Sequence, residues 1–389
     1  MQYRPMTIED VPGFARLMRL GFGDPAAMTE YYTELLGTEW CRGLFDGDRM
    51  VASIGFIDDA HRLGGGSVST WGVTAVGVDP AARGRGVSGA LIKQSLEEAA
   101  KSGVSMMTLY ASAPAVYRKM GYERAGKMMG YKAKTAQLAL SGKATGRFDV
   151  VDATADDTAK QLAEIRESWL KLANGPFERN EAFWQFLLKP YDKTADVYVW
   201  RDDQGTPAGY AIIHETREKL EVADLCVPTG DAASAMLAFF GGFRAIFTDV
   251  NWTGSPVDPL IMAMNDRWWE TTRHEHWFSR ITDAEKALKQ RGYPAGLEAR
   301  LSLAIDDPIL PNNAATFGIE VADSTATVAR APGTDASLNL SVQSLAPLFT
   351  GFVSASRLAA MGRLTGPREM IETADRVFSG PMPWLEESF

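Results

Sequence analysis

Two cysteines in 389 residues, Cys41 and Cys226, lie far apart and outside any CxxC pair, which excludes a disulfide framework and a cysteine-ligated zinc. They read instead as small buried apolar side chains. Histidine is as scarce: His61, His214, His274 and His276 form no HExxH or comparable spacing, so no metal is expected. No uncharged apolar run approaches the roughly 18 residues of a membrane-spanning helix, and the opening MQYRPMTIEDVPGF lacks the apolar core of a secretory signal. A cytoplasmic location with no membrane partner is therefore expected. Basic residues number 40 against 49 acidic ones, a net charge of −9 that disfavours nucleic acid as a partner and favours cationic ligands.

What is present is a globular composition, 46% apolar and 23% charged, in a chain long enough for about two or three domains. Thr7 can cap a helix through VPGFARLMRLGF, with Glu9 and Asp10 at its positive end. The turn Asp46-Gly47-Asp48 joins apolar runs Trp40 to Phe45 and Met50 to Ile57 as a hairpin, and Ser69 to Val78 reads as the next strand. Val87 to Ser102 has helical spacing, with Leu91, Ile92, Leu96 and Ala99 on one side and Gly103 at its end. A strand at Ser105 to Tyr110 and a short helix at Ala113 to Met120 follow.

Around Leu140 to Asp152 the composition shifts to that of a linker. Beyond it the order repeats: a hairpin of Val197 to Arg201 and Ala208 to His214, a strand at Leu220 to Val227, a helix at Asp231 to Phe240 and a strand at Ala245 to Val250. That repetition suggests an internal duplication. A third unit begins near RITDAEKALKQRGYP, continues through strands such as LEARLSLAI and ATFGIEVA, and closes with helical stretches at Ser341 to Thr350 and Ala355 to Arg363.

Gly84-Arg-Gly86-Val-Ser-Gly89 matches the GxGxxG pattern of dinucleotide sites, yet Asp79-Pro80-Ala-Ala separates its strand from the glycines and GVSMMTL supplies no carboxylate at the required distance. A nicotinamide or flavin is not expected. What remains is a loop of small residues flanked by Arg83 and Arg85 that opens directly into a helix, whose first amides lack partners of their own. Such a loop suits a pyrophosphate. The second unit has CVPTGDAAS at this place, with one glycine and no arginine, and no phosphate role is expected there.

The strand TAVGVDP, the Arg83-x-x-Gly86-x-Ser88 turn and YASAPAVYRKMGYERAG together resemble the GNAT acetyltransferase superfamily, with Ser88 in place of the usual small Gly or Ala. The order of units and the aromatic last residue resemble, more narrowly, the Eis family of N-acetyltransferases. The resemblance implies an α/β (α+β) chain of tandem GNAT folds, the second degenerate, and a C-terminal sterol-carrier-protein-like domain, with units at 1–140, 146–280 and 281–389. It also implies acetyl-CoA as cofactor and a homo-oligomer, a hexamer. Cofactor contacts would fall on Val76, Val78, Arg83, Gly84, Arg85, Gly86, Val87, Ser88, Gly89 and Ser112.

Tyr117 stands where GNAT enzymes place a tyrosine near the cofactor sulfur, and a phenol with a reference pKa of about 10 can act as general acid. Tyr110 and Tyr122 are better candidates for packing. The Eis resemblance assigns the base to the α-carboxylate of Phe389 at the end of GPMPWLEESF, a segment whose prolines, Trp384 and Phe389 suit a docked end. Phe22, Asp24, Tyr31 and Glu387 are the implied substrate contacts, and Ser388 stands where the family has an acidic residue. The acceptor implied is a small cationic amine or a lysine-containing molecule: an aminoglycoside, a polyamine or lysine. Two other readings stay open, a non-catalytic acyl-CoA or lipid-binding regulator and an acyltransferase for longer chains, the latter because Ala75 is small.

Overall fold

The computed structural model describes residues 1–141, 143, 145–214 and 219–388. In the first third, β1 (Gln2–Pro5) leads to α1 (Val11–Phe22) and α2 (Ala26–Leu36). There the Thr7 amide donates to the Asp10 carboxylate at 2.9 Å, closing the helix entry. A hairpin of β2 (Cys41–Asp46) and β3 (Arg49–Leu63) follows, then β4 (Gly66–Val78), α3 (Val87–Lys101), β5 (Met106–Tyr110), α4 (Pro114–Lys119) and β6 (Glu123–Lys134). Leu91, Ile92, Leu96 and Ala99 of α3 are all buried against this sheet, as their spacing requires.

The middle third contains α5 (Thr135–Ser141), β7 (Arg147–Val151), α6 (Thr158–Leu170) and α7 (Glu181–Leu188). It continues with β8 (Ala195–Arg201), β9 (Pro207–His214), β10 (Leu220–Cys226), α8 (Gly230–Gly242), β11 (Asp249–Gly254), α9 (Pro259–Ala263) and β12 (Trp269–Ile281). Two expectations fail here. The stretch expected to be linker contains β7, an edge strand exposed enough to look polar in sequence. The strand expected at Ala245 to Val250 begins only at Asp249, because Phe243–Ala245 form a helical turn and Ile246 is exposed.

Twelve strands form one continuous sheet in the order β1-β2-β3-β4-β5-β12-β6-β11-β10-β9-β8-β7. The two halves exchange strands: β12 inserts between β5 and β6, and β6 pairs with β11 along Met129–Lys134. Each half is thus completed by a segment from outside its own stretch of sequence. The loop after α6 also crosses over, where Gly175 donates to the Arg62 carbonyl at 2.7 Å and Glu178 to Ala60 at 2.8 Å. His61 is buried at this seam, stacked on Phe177 with centroids 4.2 Å apart and held at Nε2 by Thr108 at 3.1 Å. Burial keeps it neutral, its pKa drawn down to about 3.

The last third has its own five-stranded sheet, β15-β14-β13-β16-β17, built from β13 (Ala299–Asp306), β14 (Thr316–Ala322), β15 (Thr325–Arg330), β16 (Leu338–Ser341) and β17 (Leu364–Thr365). α10 (Ala284–Gln290), α11 (Val342–Thr350), α12 (Ala355–Ala360) and α13 (Arg368–Val377) pack with it. Its core runs without a break into Leu63, Val68, Met106 and Trp277 of the large sheet. Cys41 and Cys226 are both buried, and burial pushes both thiols up, Cys41 to about 11. Among the described residues no helix is long and apolar enough to cross a membrane, and no cluster of His, Cys, Asp or Glu could hold a metal.

Candidate active site

Between β4 and β5 the sheet opens. Parallel pairing joins Thr70, Trp71 and Gly72 to Met106, Met107 and Thr108 and stops, while β4 runs on to Val78 and β5 to Tyr110. A bulge opposite Ser53 and Gly55 marks the divergence: Ala75 takes a φ of 52°, and its carbonyl accepts from the Ser53 hydroxyl at 3.0 Å. A bulge bends its strand and increases the local twist. Val76 and Val78 are thereby left on an edge that has no strand partner on the β5 side among the described residues.

Asp79 anchors the turn beyond β4. Its carboxylate accepts from Arg16 of α1 at 2.5 Å, from Arg49 of β3 at 2.6 Å and from the Ala81 amide at 2.9 Å. The Arg16 contact, helped by the Ala81 amide and by Arg49, holds this carboxyl far below the usual range. The chain then passes through Gly84 and Gly86, each with φ 77°, into the 15-residue α3. A Cβ at either glycine would meet open space, so the backbone angle, not clearance, demands glycine there. Gly86 is the helix cap and offers no side chain, which leaves the opening amides at Val87, Ser88 and Gly89 free of any capping group. Arg83 and Arg85 are exposed beside them, and Arg85 makes only a surface ion pair with Asp46 at 3.4 Å. Uncapped amides, a helix dipole and two exposed guanidinium groups fit a diphosphate.

On the other side of the opening, β5 ends at Tyr110, Ser112 is exposed, and α4 carries Tyr117. The Tyr117 ring is buried edge-on against Tyr122 at 5.7 Å, and its hydroxyl has no hydrogen-bond partner among the described residues. Burial pushes the phenol up to about 12.

The C-terminal segment comes into the same region. Its backbone lies along β6, Lys127 donating to the Pro383 carbonyl at 3.0 Å and Leu385 to that of Lys127 at 2.9 Å. Trp384 donates to the Asn174 carbonyl at 3.0 Å and sets its ring edge-on to Trp169 at 5.2 Å. Gly126 leaves the room this requires, since a Cβ there would stand 2.6 Å from the Pro383 oxygen. The Tyr110 hydroxyl donates to the Glu387 carbonyl at 3.0 Å, joining the tail to the end of β5.

The implied substrate contacts do not form one group. Phe22 is exposed at the end of α1, and Asp24 beside it is half-buried, its carboxyl raised by burial and without an ion-pair partner among the described residues. Tyr31 is engaged elsewhere: its hydroxyl donates to the Lys189 carbonyl at 2.6 Å and its ring packs on Tyr191, where α2 meets α7. Glu387 turns its carboxylate into a buried ion-pair cluster with Arg166 and Arg179, so its charge is neutralised by protein and is not offered to an acceptor. Phe389 lies outside the described residues. The sequence reading overlooked Asp79, Arg166 and Arg179. The Asp-Pro turn signature could have pointed to the first; no local signal marks the arginines.

Families of the acetyltransferase (GNAT) domain match residues 2–125 and 175–281, and the sterol carrier protein domain matches residues 284–386. The chain is an acetyltransferase with tandem GNAT domains and a C-terminal sterol carrier protein domain. Over 372 residues it is 26% identical to an uncharacterized N-acetyltransferase of Streptomyces avermitilis, covering 89% of this chain and 88% of that one. It is also 25% identical over 398 residues to the N-acetyltransferase Eis of Mycobacterium tuberculosis, covering 97% and 96%. A crystal structure of a GCN5-related N-acetyltransferase from Anabaena variabilis superposes over the full length of both chains with a TM-score of 0.94 at 26% identity. Along nearly its whole length the chain is similar to the Eis N-acetyltransferases of the GNAT kind, and its acyl donor is acetyl-CoA.

The loop geometry makes one expectation concrete. In Gly86→Val a β-branched residue must adopt a φ of 77°, a strain of roughly 1–2 kcal/mol that the turn relieves by moving. The KM for acetyl-CoA should rise about tenfold with kcat changed far less, because a loop that holds the diphosphate would contact ground and transition states alike. Steady-state kinetics at saturating amine checks this; an unchanged KM would place the diphosphate elsewhere.

Proposed function

We propose that this enzyme acetylates an amine of a cationic acceptor, an aminoglycoside, a polyamine or lysine, with Tyr117 as general acid and the C-terminal carboxylate of Phe389 as base. Acetyl-CoA, when bound, supplies an activated acetyl thioester. The amides of Val87, Ser88 and Gly89, with Gly84, Gly86, Arg83 and Arg85, would hold the diphosphate, and the free edge at Val76 and Val78 would orient the arm between β4 and β5, with Ser112 at its far side. Tyr117 keeps a proton on its hydroxyl at neutral pH and delivers it where the thiol departs. The terminal carboxylate, with a reference pKa of about 3.5, is ionised and takes a proton from the attacking amine. Phe22 and Asp24 offer the acceptor an aromatic face and an unpaired carboxyl.

The observation that most supports this reading is the Tyr117 hydroxyl, which has no hydrogen-bond partner among the described residues and is carried by α4, the helix that follows the β5 end where Tyr110 fastens the tail. We assign the units to 1–140, 146–280 and 281–389 and the location to the cytoplasm. We also read the enzyme as a hexamer, an assembly that would cover the exposed Leu140, Ile246, Val257 and Met262 around α5 and α9. A lipid-carrying role for the third unit finds less support. Its interior is filled by Leu303, Phe317, Leu345 and Phe349, and its cleft of about 740 Å³ is an open one bordered by Asp306, Asn339, Ser341 and Arg363. Incubation with acetyl-CoA and a panel of polyamines, aminoglycosides and lysine peptides, following thiol release, should show turnover on at least one amine. No turnover on any would overturn the proposal, and preference for propionyl-CoA would favour the longer-chain alternative at Ala75.

A further inference from the structure

The second GNAT unit has no phosphate loop, yet it surrounds the tail with the most heavily charged buried cluster in the described structure. Arg166 projects from α6 and Arg179 from the loop before α7, and both side chains are buried. Arg166 donates to Glu386 at 2.5 Å, to Glu387 at 2.8 Å and to the Phe177 carbonyl at 2.6 Å. Arg179 donates to Glu386 at 2.7 Å and to Glu387 at 3.0 Å, and holds Asp224 of β10 bidentately at 2.6 and 2.8 Å. The Tyr210 hydroxyl of β9 closes the ring on Asp224 at 2.8 Å. From β3, Asp59 faces the cluster and accepts from the amides of Arg179 and Asn180.

Two guanidinium groups therefore meet three carboxylates, and two of the three belong to adjacent residues of the tail. Buried charges with several partners fix geometry more than they add stability. Only Ser388 separates Glu387 from Phe389 in sequence, and two residues of chain can span no more than about 7 Å. Any group beyond Glu387 is tethered to the cluster on that short leash.

We infer that the second unit serves as the holder of the tail, with Arg166 and Arg179 as positioning residues that act through Glu386 and Glu387 to fix the C-terminal carboxylate at the first unit's site. This rests on the reading of that carboxylate as the base. It gives the degenerate unit a task that needs no cofactor, and it makes the enzyme's pH response depend on a cluster remote from the acceptor. Burial pushes Glu386 up to about 7, because the two arginines cannot neutralise three carboxylates. With a folded pKa above the unfolded one, this group's contribution to stability is most favourable below about pH 4.5 and is lost as pH rises toward 7. Tail docking should loosen across the same window.

The test uses the full chain. Arg166→Met should leave acetyl-CoA affinity within about twofold, lower kcat about tenfold or more, and speed removal of C-terminal residues by a carboxypeptidase. Adding Glu386→Gln restores the parent's charge balance and should recover part of the kcat. If Arg166→Met does not fold, Glu386→Gln alone decides: its melting temperature should exceed the parent's at pH 8 and its kcat profile near pH 7 should flatten. A parent-like profile would overturn the inference. If deletion of Phe389 stops turnover while a folded Arg166→Met keeps its kcat and its tail protection, the carboxylate is the base but is not held by this cluster, and the inference fails alone. If deletion of Phe389 leaves kcat unchanged, the base assignment fails and the inference with it.

Discussion

Tyr117→Phe is expected to lower kcat by about 10²–10³ at neutral pH, within the range that a positioned general acid contributes. The substitution keeps the ring that packs edge-on against Tyr122 and removes only a hydroxyl with no hydrogen-bond partner among the described residues, so nothing in the fold needs repair. The Kd for acetyl-CoA should therefore stay within about twofold, and the melting temperature should not move. The pH dependence follows from burial. A phenol raised to about 12 stays protonated, in its donor form, throughout the range in which the enzyme can be assayed. The parent's kcat should show no alkaline decline from this group up to about pH 10, and the deficit of the variant should be nearly constant from about pH 6 to 9. A variant with parent-like kcat would assign Tyr117 to packing and move the acid elsewhere.

The parts of the site legible in sequence are those whose cause is local. Gly84 and Gly86 announce left-handed backbone, the helix start follows within one residue, and α3 carries its apolar face in its own spacing. The arrangement that closes the site is not local. β12 enters between β5 and β6 from more than 130 residues downstream, and its first half, WETTRHE, is mostly exposed and shows none of the alternation that marks a half-buried strand. Arg166 and Arg179 meet Glu386 and Glu387 across 207 to 221 residues. Charged residues alone in sequence read as solvated faces, and only the fold shows that these four are buried together. Glu387 illustrates the result: an acid near the end of the sequence looks like a substrate contact, but two arginines already claim it.

The exchange of β6 and β12 also gives α4, the helix that carries Tyr117, an anchor outside its own stretch of chain. Arg280, at the end of β12, passes under the C-terminus of α4: its Nε donates to the Met120 carbonyl at 2.9 Å, and Gly121, with φ 88°, lets it approach. On its other side the guanidinium donates to Asp307 at 2.7 Å, both side chains being fully buried, and Asp307 in turn accepts from the Ile309 and Leu310 amides at 3.0 Å and from Asn313 at 3.1 Å.

Asp307→Ala leaves a guanidinium buried without its counter-charge and strips three further donors of their acceptor, at a cost of about 3–5 kcal/mol. A fall of several degrees in melting temperature is expected. Because Arg280 then shifts toward other acceptors, α4 loses its support and kcat should drop with it. The double variant Arg280→Met, Asp307→Leu removes both charges and should recover much of the melting temperature, since apolar replacements of a buried pair are often neutral. It cannot restore the bond to Met120, so its kcat should stay low. Recovery of both quantities together would show that this buried pair supports the fold and leaves the position of Tyr117 unaffected.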